Sequence, residues 1–262
     1  LMVDYREKFY AAGKIPGGFL KRESRPSDLE SLRARLTDRT LRPMFPDGFK
    51  HDTIVSLTVL AIDNIHPSEL VAMCAASAAI HVSDIPFQQP IAGVRVGMKD
   101  GKIVVNPTVE ALPELEMDLI VAGHADAIKM VEAGAKEVSE DDVVKGLEAA
   151  HAQIKTICDG IEKLREKGGK EKFEFAPPEE DEDLKAKVAK MAPPHIKEIV
   201  DTHDKFDRSK RVKQAIDEIM EELGEEYEER KDEVAGFFNA LDEESMRENV
   251  TKKGLRADGR KP

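Results

Sequence analysis

The sequence predicts an α+β fold: a mixed, largely antiparallel sheet domain with packed helices, followed by a small all-α domain. Three observations carry that expectation. Up to about residue 168, apolar and β-branched segments alternate with helical ones. Several strand segments are joined by connections too short for parallel neighbours, which need a crossover of roughly a dozen residues or more. Beyond about residue 183, nearly every stretch reads as charged helix.

The elements follow in order. The start, Leu1 to Tyr10, is charged and carries no leader-like pattern. Gly13-Lys14-Ile15-Pro16-Gly17-Gly18 combines a proline with three glycines and reads as an exposed loop. Ser27-Asp28-Leu29-Glu30 is a capping box behind Pro26, so a helix starts there and runs to about Arg42, ending at Pro43. Thr53 to Ile62 is rich in β-branched residues and suits a buried strand. Pro67 to Val82 is a helix of small residues that packs closely on a sheet. Ile91 to Met98 and Lys102 to Val105 flank a Lys99-Asp100-Gly101 turn and form a hairpin. Met117 to Ala122 and Ala127 to Glu132 form a further strand pair, and Ser139 caps a long helix to about Lys167. The stretch from Gly168 to Asp183, with Pro177-Pro178 and an acidic run, has linker composition. After it, Leu184 to Met191, Pro194 to Thr202, Lys205 to Leu223 and Glu226 to Lys252 read as successive helices. Val212, Ala215, Ile216 and Ile219 give the third of them a packing face.

Composition excludes several classes. With 7 His and only 2 Cys, none in ligand spacing, a zinc site is not expected. Cys74 and Cys158 are too few for a disulfide framework, which points to a reducing compartment. No apolar run approaches the roughly 18–20 residues of a membrane span. The chain contains no GxSxG, P-loop or GxGxxG pattern, and Asp4, Asp118 and Asp126 are isolated, so no catalytic residue and no metal ligand is assigned. The net charge of −12 means that any nucleic acid must be held by a local basic patch.

One such patch is legible. Phe19-Leu20-Lys21-Arg22 closes the glycine loop, offering an aromatic face to a base and two cations to phosphates. The alternative is a surface loop that Phe19 anchors to the core. In the next helix, Leu29, Leu32 and Leu36 form an apolar stripe at 100° per residue, with Arg35, Arg39 and Arg42 on its flank, where a planar guanidinium can grip phosphate. The alternative there is an internal ion-pair network with Asp38 or Glu30. The candidate RNA-binding residues are therefore Phe19, Leu20, Lys21, Arg22, Arg35 and Arg39.

These residues also carry a family resemblance. Tyr10 to Phe19, Lys21-Arg22-Glu23, Arg25-Pro26-Ser27, and Arg35-Leu36 through Pro46 closely resemble the first RNase PH-like core of the polynucleotide phosphorylases. So do Ala75 to Ala79, Ile85-Pro86-Phe87, Val94 to Gly97, Asn106-Pro107-Thr108 and Asp118 to Gly123, while Arg256 to Arg260 resembles the lead-in to that family's second core. The resemblance implies a first core over residues 1–172 with N-terminal strands missing, an all-α inter-core domain over 173–253, and a lead-in over 254–262. It implies a phosphate-dependent 3′-to-5′ exoribonuclease of mRNA turnover, a polyribonucleotide nucleotidyltransferase using Mg²⁺ and inorganic phosphate. It further implies a cytoplasmic homotrimer that threads single-stranded RNA and can join an RNA-degradation complex, with no membrane partner. Where the family has two aromatics and two arginines in the pore loop, Leu20 and Lys21 depart from the pattern, and Thr40 replaces a usual proline. The family's phosphate and metal residues belong to the second core, so the isolated chain is expected to be inactive. A non-catalytic RNA-binding scaffold is the rival reading.

Overall fold

The computed structural model describes every residue except Gly18, Leu20, Lys21, Ser24, Pro178 and Pro262. The chain forms two compact units, Leu1–Pro177 and Pro178–Pro262.

The first unit begins with a strand that the charged N-terminal sequence concealed. β1 (Met2–Glu7) lies parallel to β2 (Ile54–Val59), in register Val3 with Val55 and Tyr5 with Leu57. A parallel pair needs a crossover, and α1 (Asp28–Leu41) lies within it. β2 is buried on one face only. Val55, Leu57 and Val59 point inward, whereas Ile54 is 68% exposed, so the expected buried strand is buried on alternate residues only.

α1 starts at the anticipated capping box, with the Ser27 hydroxyl and the Glu30 carboxylate each bonded to the other's backbone N–H. Its orientation differs from the leucine stripe. Leu36, Thr37, Thr40 and Leu41 are buried, while Leu29 and Leu32 are more than half exposed. Arg33 and Thr40 turn inward onto polar partners. Arg33 meets Glu7 and Glu69 (3.3 Å to the latter), and the Thr40 hydroxyl bonds the Leu36 carbonyl at 3.1 Å.

α2 (Ser68–Val82) leads to a four-stranded antiparallel sheet in the order β4-β3-β5-β6: β3 (Ala92–Lys99), β4 (Lys102–Val105), β5 (Met117–His124) and β6 (Ala127–Ala135). The Asp100-Gly101 turn has positive φ at both residues (52° and 69°), the backbone that a two-residue hairpin requires. α3 (Glu140–Gly168), capped by the Ser139 side chain, packs Ala150, Ile154 and Cys158 against Val94, Val96, Met117 and Leu119. Helix and sheet approach closely at Gly146, where a Cβ would stand 2.8 Å from Met117. A second apolar cluster joins Tyr5, Leu57, Leu36, Met73, Ile80 and Ile91.

The stretch of linker composition is, in its first half, fixed to this unit. Backbone N–H groups of Lys170 and Phe173 bond Val82 and Asp84 carbonyls, and the Lys172 ammonium donates to the carbonyls of Ile80, His81 and Ser83. A cation on the last carbonyls of α2 satisfies acceptors that the helix cannot. Phe173 and Phe175 then pack on Phe49.

In the second unit, α4 (Glu182–Val200) runs unbroken through Pro193 and Pro194, where two helices were expected. Each proline removes one backbone donor. The helix continues because Leu184, Val188, Ala192 and Ile199 share one buried face across the prolines. α5 (Lys205–Leu223) and α6 (Lys231–Lys253) complete the unit around Ile216, Ile219, Val234 and Phe238. None of the described helices is long and apolar enough to cross a membrane.

Candidate nucleic-acid interface

The glycine loop is closed by Glu23, to which the sequence assigned no structural role. The Glu23 carboxylate accepts from the Lys8 ammonium at 2.7 Å and from the Phe9 backbone N–H at 2.9 Å, tying the loop's end to its start. The Lys8 hydrogen bond, seconded by the Phe9 N–H, holds the Glu23 carboxyl below the usual carboxylate range. Gly13, at φ 67°, ends the short 3₁₀ turn Phe9–Ala12 and launches the loop. A left-handed residue at that point favours glycine.

Phe19 sits in this closed loop with its ring 99% exposed, so it does not anchor the loop to the core. Ile15 and Tyr10 are also exposed. Arg22 is exposed and has no ion-pair partner among the described residues. Leu20 and Lys21, the other two candidates in this loop, lie outside the described residues.

The α1 arginines have separate fates. Arg35 is exposed and unpaired among the described residues. Arg39 bonds Glu132 of β6 at 3.1 Å on the surface. Arg42 makes a bidentate pair with Asp38 (2.6 and 3.1 Å) and reaches the Leu1 carbonyl. Asp38 thus holds Arg42, whereas Glu30 serves the helix cap and the Glu7 N–H. Arg35 and Arg39 stand on the solvent side beside the exposed Leu32, not at the edge of the buried face.

A polar network behind the helix fixes its position. Glu69, nearly buried, lies between Arg33 and Arg95, and Arg95 forms a bidentate pair with Asp118 at 2.7 and 2.6 Å. The Tyr5 hydroxyl donates to Glu7 and lies 2.7 Å from the Ser68 hydroxyl. Burial pushes the Tyr5 phenol well above its ordinary range, so it remains a donor. The network joins β1, α1, α2, β3 and β5 and uses up five charges that a count of cations and anions would place on the surface.

The loop can stack a flat ring on Phe19 and neutralise an anion at Arg22, and Arg35 offers a further exposed cation on α1. The described residues of this surface include no hydrogen-bonded nucleophile–base pair. Among the described residues, no group of three or more His, Cys, Asp or Glu is placed to hold a metal ion. The groove between β2 and α2, lined by Ile54, Leu60, Val71 and Ala75, is apolar and unsuited to phosphate.

Family profiles match the chain in three successive stretches. The 3′ exoribonuclease family matches with its domain 1 over residues 1–86 and its domain 2 over residues 89–153. The profile described as "Polyribonucleotide nucleotidyltransferase, RNA binding domain" matches residues 183–261. Curated relatives agree along the whole chain. The polyribonucleotide nucleotidyltransferase of Persephonella marina is 44% identical over 262 residues, all of this chain and 37% of the relative. Those of Geotalea daltonii and Geobacter sulfurreducens are each 45% identical over 260 residues, 99% of this chain and 37% of theirs.

The chain belongs to the polyribonucleotide nucleotidyltransferase family. It spans 37% of the length of these relatives. The first exoribonuclease profile holds most of the cluster around Tyr5 and Leu57, which Ile91, Ala122 and Met130 of the second profile join, and the second profile holds most of the cluster under α3. The third profile covers α4, α5 and α6 of the second unit.

Proposed function

We propose that this chain contributes the RNA grip and helical scaffold of a polyribonucleotide nucleotidyltransferase, a phosphate-dependent 3′-to-5′ exoribonuclease of mRNA turnover. The observation that carries the reading is the Glu23-closed loop. It presents Phe19 fully to solvent, with the unpaired cations Arg22 and Arg35, in a chain of net charge −12. Stacking on one aromatic and contact with phosphates suits single-stranded RNA of any sequence. Leu20 and Lys21 belong to the same grip, with Lys21 a point charge rather than a bidentate fork; Arg39 joins it only by leaving Glu132.

The reading extends to a cytoplasmic homotrimer, trimer contacts through this chain, and participation in an RNA-degradation complex. Mg²⁺ and inorganic phosphate would serve the reaction of the longer enzyme. The described residues of this chain offer no metal cage, so no chemical step is assigned to it. The 262-residue chain alone should release no ADP from poly(A) in phosphate and Mg²⁺, and release of ADP would refute that part of the proposal.

The grip is tested by titrating a labelled single-stranded oligoadenylate against the chain over a salt series. Phe19→Ala with Arg22→Ala should weaken binding and lower the log–log salt slope by roughly 0.7, one phosphate contact on a single strand. An unchanged affinity and slope would remove the loop from RNA binding.

A further inference from the structure

α5 of the second unit has an inverted charge pattern. From Lys205 to Lys213 it holds five cations and one carboxylate; from Gln214 to Glu229 the chain holds eight carboxylates and no cation. A helix is stabilised by the opposite order, with anions at its N-terminus and cations at its C-terminus. The arrangement therefore costs stability, and the cations are not there for the helix.

Two of the five serve the fold. Arg208 makes a bidentate pair with Asp242 of α6, both contacts at 2.8 Å, and Arg211 bonds Glu198 of α4 at 2.7 Å. Lys205, Lys210 and Lys213 are exposed and have no ion-pair partner among the described residues. Lys210 and Lys213 lie four and seven residues after Phe206, so the three side chains share one helix face. The packing face of α5, through Val212, Ala215, Ile216 and Ile219, is a different one. The next residue on the exposed face, Asp217, is held by Lys231 at 2.6 Å, which offsets its charge.

Phe206 is 82% exposed, and among the described residues it is the only exposed large apolar side chain of this unit. It is not a frayed end, because the Asp204 carboxylate accepts from the Phe206 and Asp207 N–H groups and fixes the first turn. A ring held in water beside two unpaired ammonium groups lacks a partner within the fold. At about 1.5 Å rise per residue, the four-residue step from Phe206 to Lys210 is roughly 6 Å. That allows a base on the ring and its neighbouring phosphate on the lysine.

We infer that Phe206, Lys210 and Lys213 form a second single-stranded RNA contact, with the base stacked on Phe206 and successive phosphates on the two lysines. The inference deepens the proposed function and rests on its reading of the chain as an RNA binder. Lysine point charges and a bare aromatic face make this contact indifferent to sequence.

The test uses the full 262-residue chain and the same oligoadenylate. Lys210→Ala with Lys213→Ala should lower the log–log salt slope by about 1.4, two contacts at roughly 0.7 each. Phe206→Ala should weaken binding roughly fivefold or more at constant slope, the least that loss of one stacked base predicts. Lys210→Arg with Lys213→Arg should keep the slope, which separates lost charge from a folding defect. As a control, Lys155→Ala with Lys163→Ala on α3 removes the same charge and should leave the slope unchanged. If the α5 variants bind as the parent does while Phe19→Ala with Arg22→Ala binds weakly, this inference is overturned and the loop reading stands. If the α3 control lowers the slope as much as the α5 pair, the attraction is diffuse and the inference is again overturned. Weakening by the α5 variants alone upholds the contact and moves the grip away from the loop.

Discussion

The first unit ties five charges into one network around a nearly buried carboxylate, whereas the second pairs most of its charges at the surface. In the first, Glu69, Arg33, Arg95, Asp118 and Glu7 form one network that joins three strands and two helices. In the second, the main internal pair among the described residues is Arg208 with Asp242, Arg230 is half-buried between Asp181 and Glu233, and most of the remaining pairs lie between exposed side chains. The difference teaches that a cation's place in the sequence says little about its availability. Each of α1 and α5 spends its first inward arginine on the fold, Arg33 and Arg208 respectively. What is left for a ligand is the small remainder.

The largest effect expected from this contrast is on stability. Arg33→Ala leaves the nearly buried Glu69 with only the 3.5 Å contact to Arg95. Breaking a buried pair costs about 3–5 kcal/mol, and the surviving contact places this variant near the lower end. Arg208→Ala strips Asp242, 12% exposed at its side chain, of its bidentate partner in the second unit, and about 2 kcal/mol is expected. Urea unfolding midpoints measure both, and equal losses would erase the distinction between the units.

A pH dependence comes next. Burial pulls the His81 imidazole below its usual range, against the opposing effect of its hydrogen bond to the Glu162 carboxylate. An unfolded histidine binds its proton near pH 6.5, so between that pH and the lower folded value the unfolded state holds more protons. Stability of the first unit is then present above about pH 6.5 and declines as the pH falls below it. Amide exchange at pH 5.5 and 7.5 should show the slowest amides of α2 losing protection in acid. His81→Phe should flatten that decline, and an unchanged profile in the variant would assign it to other groups.

The smallest effect separates two neighbouring arginines. Arg35→Ala should lower the RNA salt slope by roughly 0.7. Arg39→Ala should lower it less, because Glu132 already neutralises Arg39. A larger change for Arg39 would show that RNA displaces the Glu132 pair.

Local signals read well from the sequence because their causes are local. The Ser27–Glu30 box, the Ser139 cap and the Asp100-Gly101 turn each involve residues within a few positions of one another. The face that α1 buries did not read, because its inward polar residues answer to Glu7 and Glu69, which lie 26 and 36 positions away. For the same reason Glu23 went unnoticed: its partner Lys8 is 15 residues earlier. The continuous α4 was missed by applying a local rule about proline where a shared apolar face decided the outcome. Phe206 stood in plain view, but a ring's exposure becomes visible only when every other ring in its unit has found a place.

The Glu23 clasp has a consequence for how fast and how tightly the loop can work. A chain segment free at one end would have to give up its wandering each time a strand of RNA arrived. Held at Lys8 and Phe9, the segment carrying Phe19 has surrendered part of that freedom beforehand. Acid that protonates Glu23 would return it, so the clasp makes the loop's readiness, and not only its shape, a property of a single carboxylate.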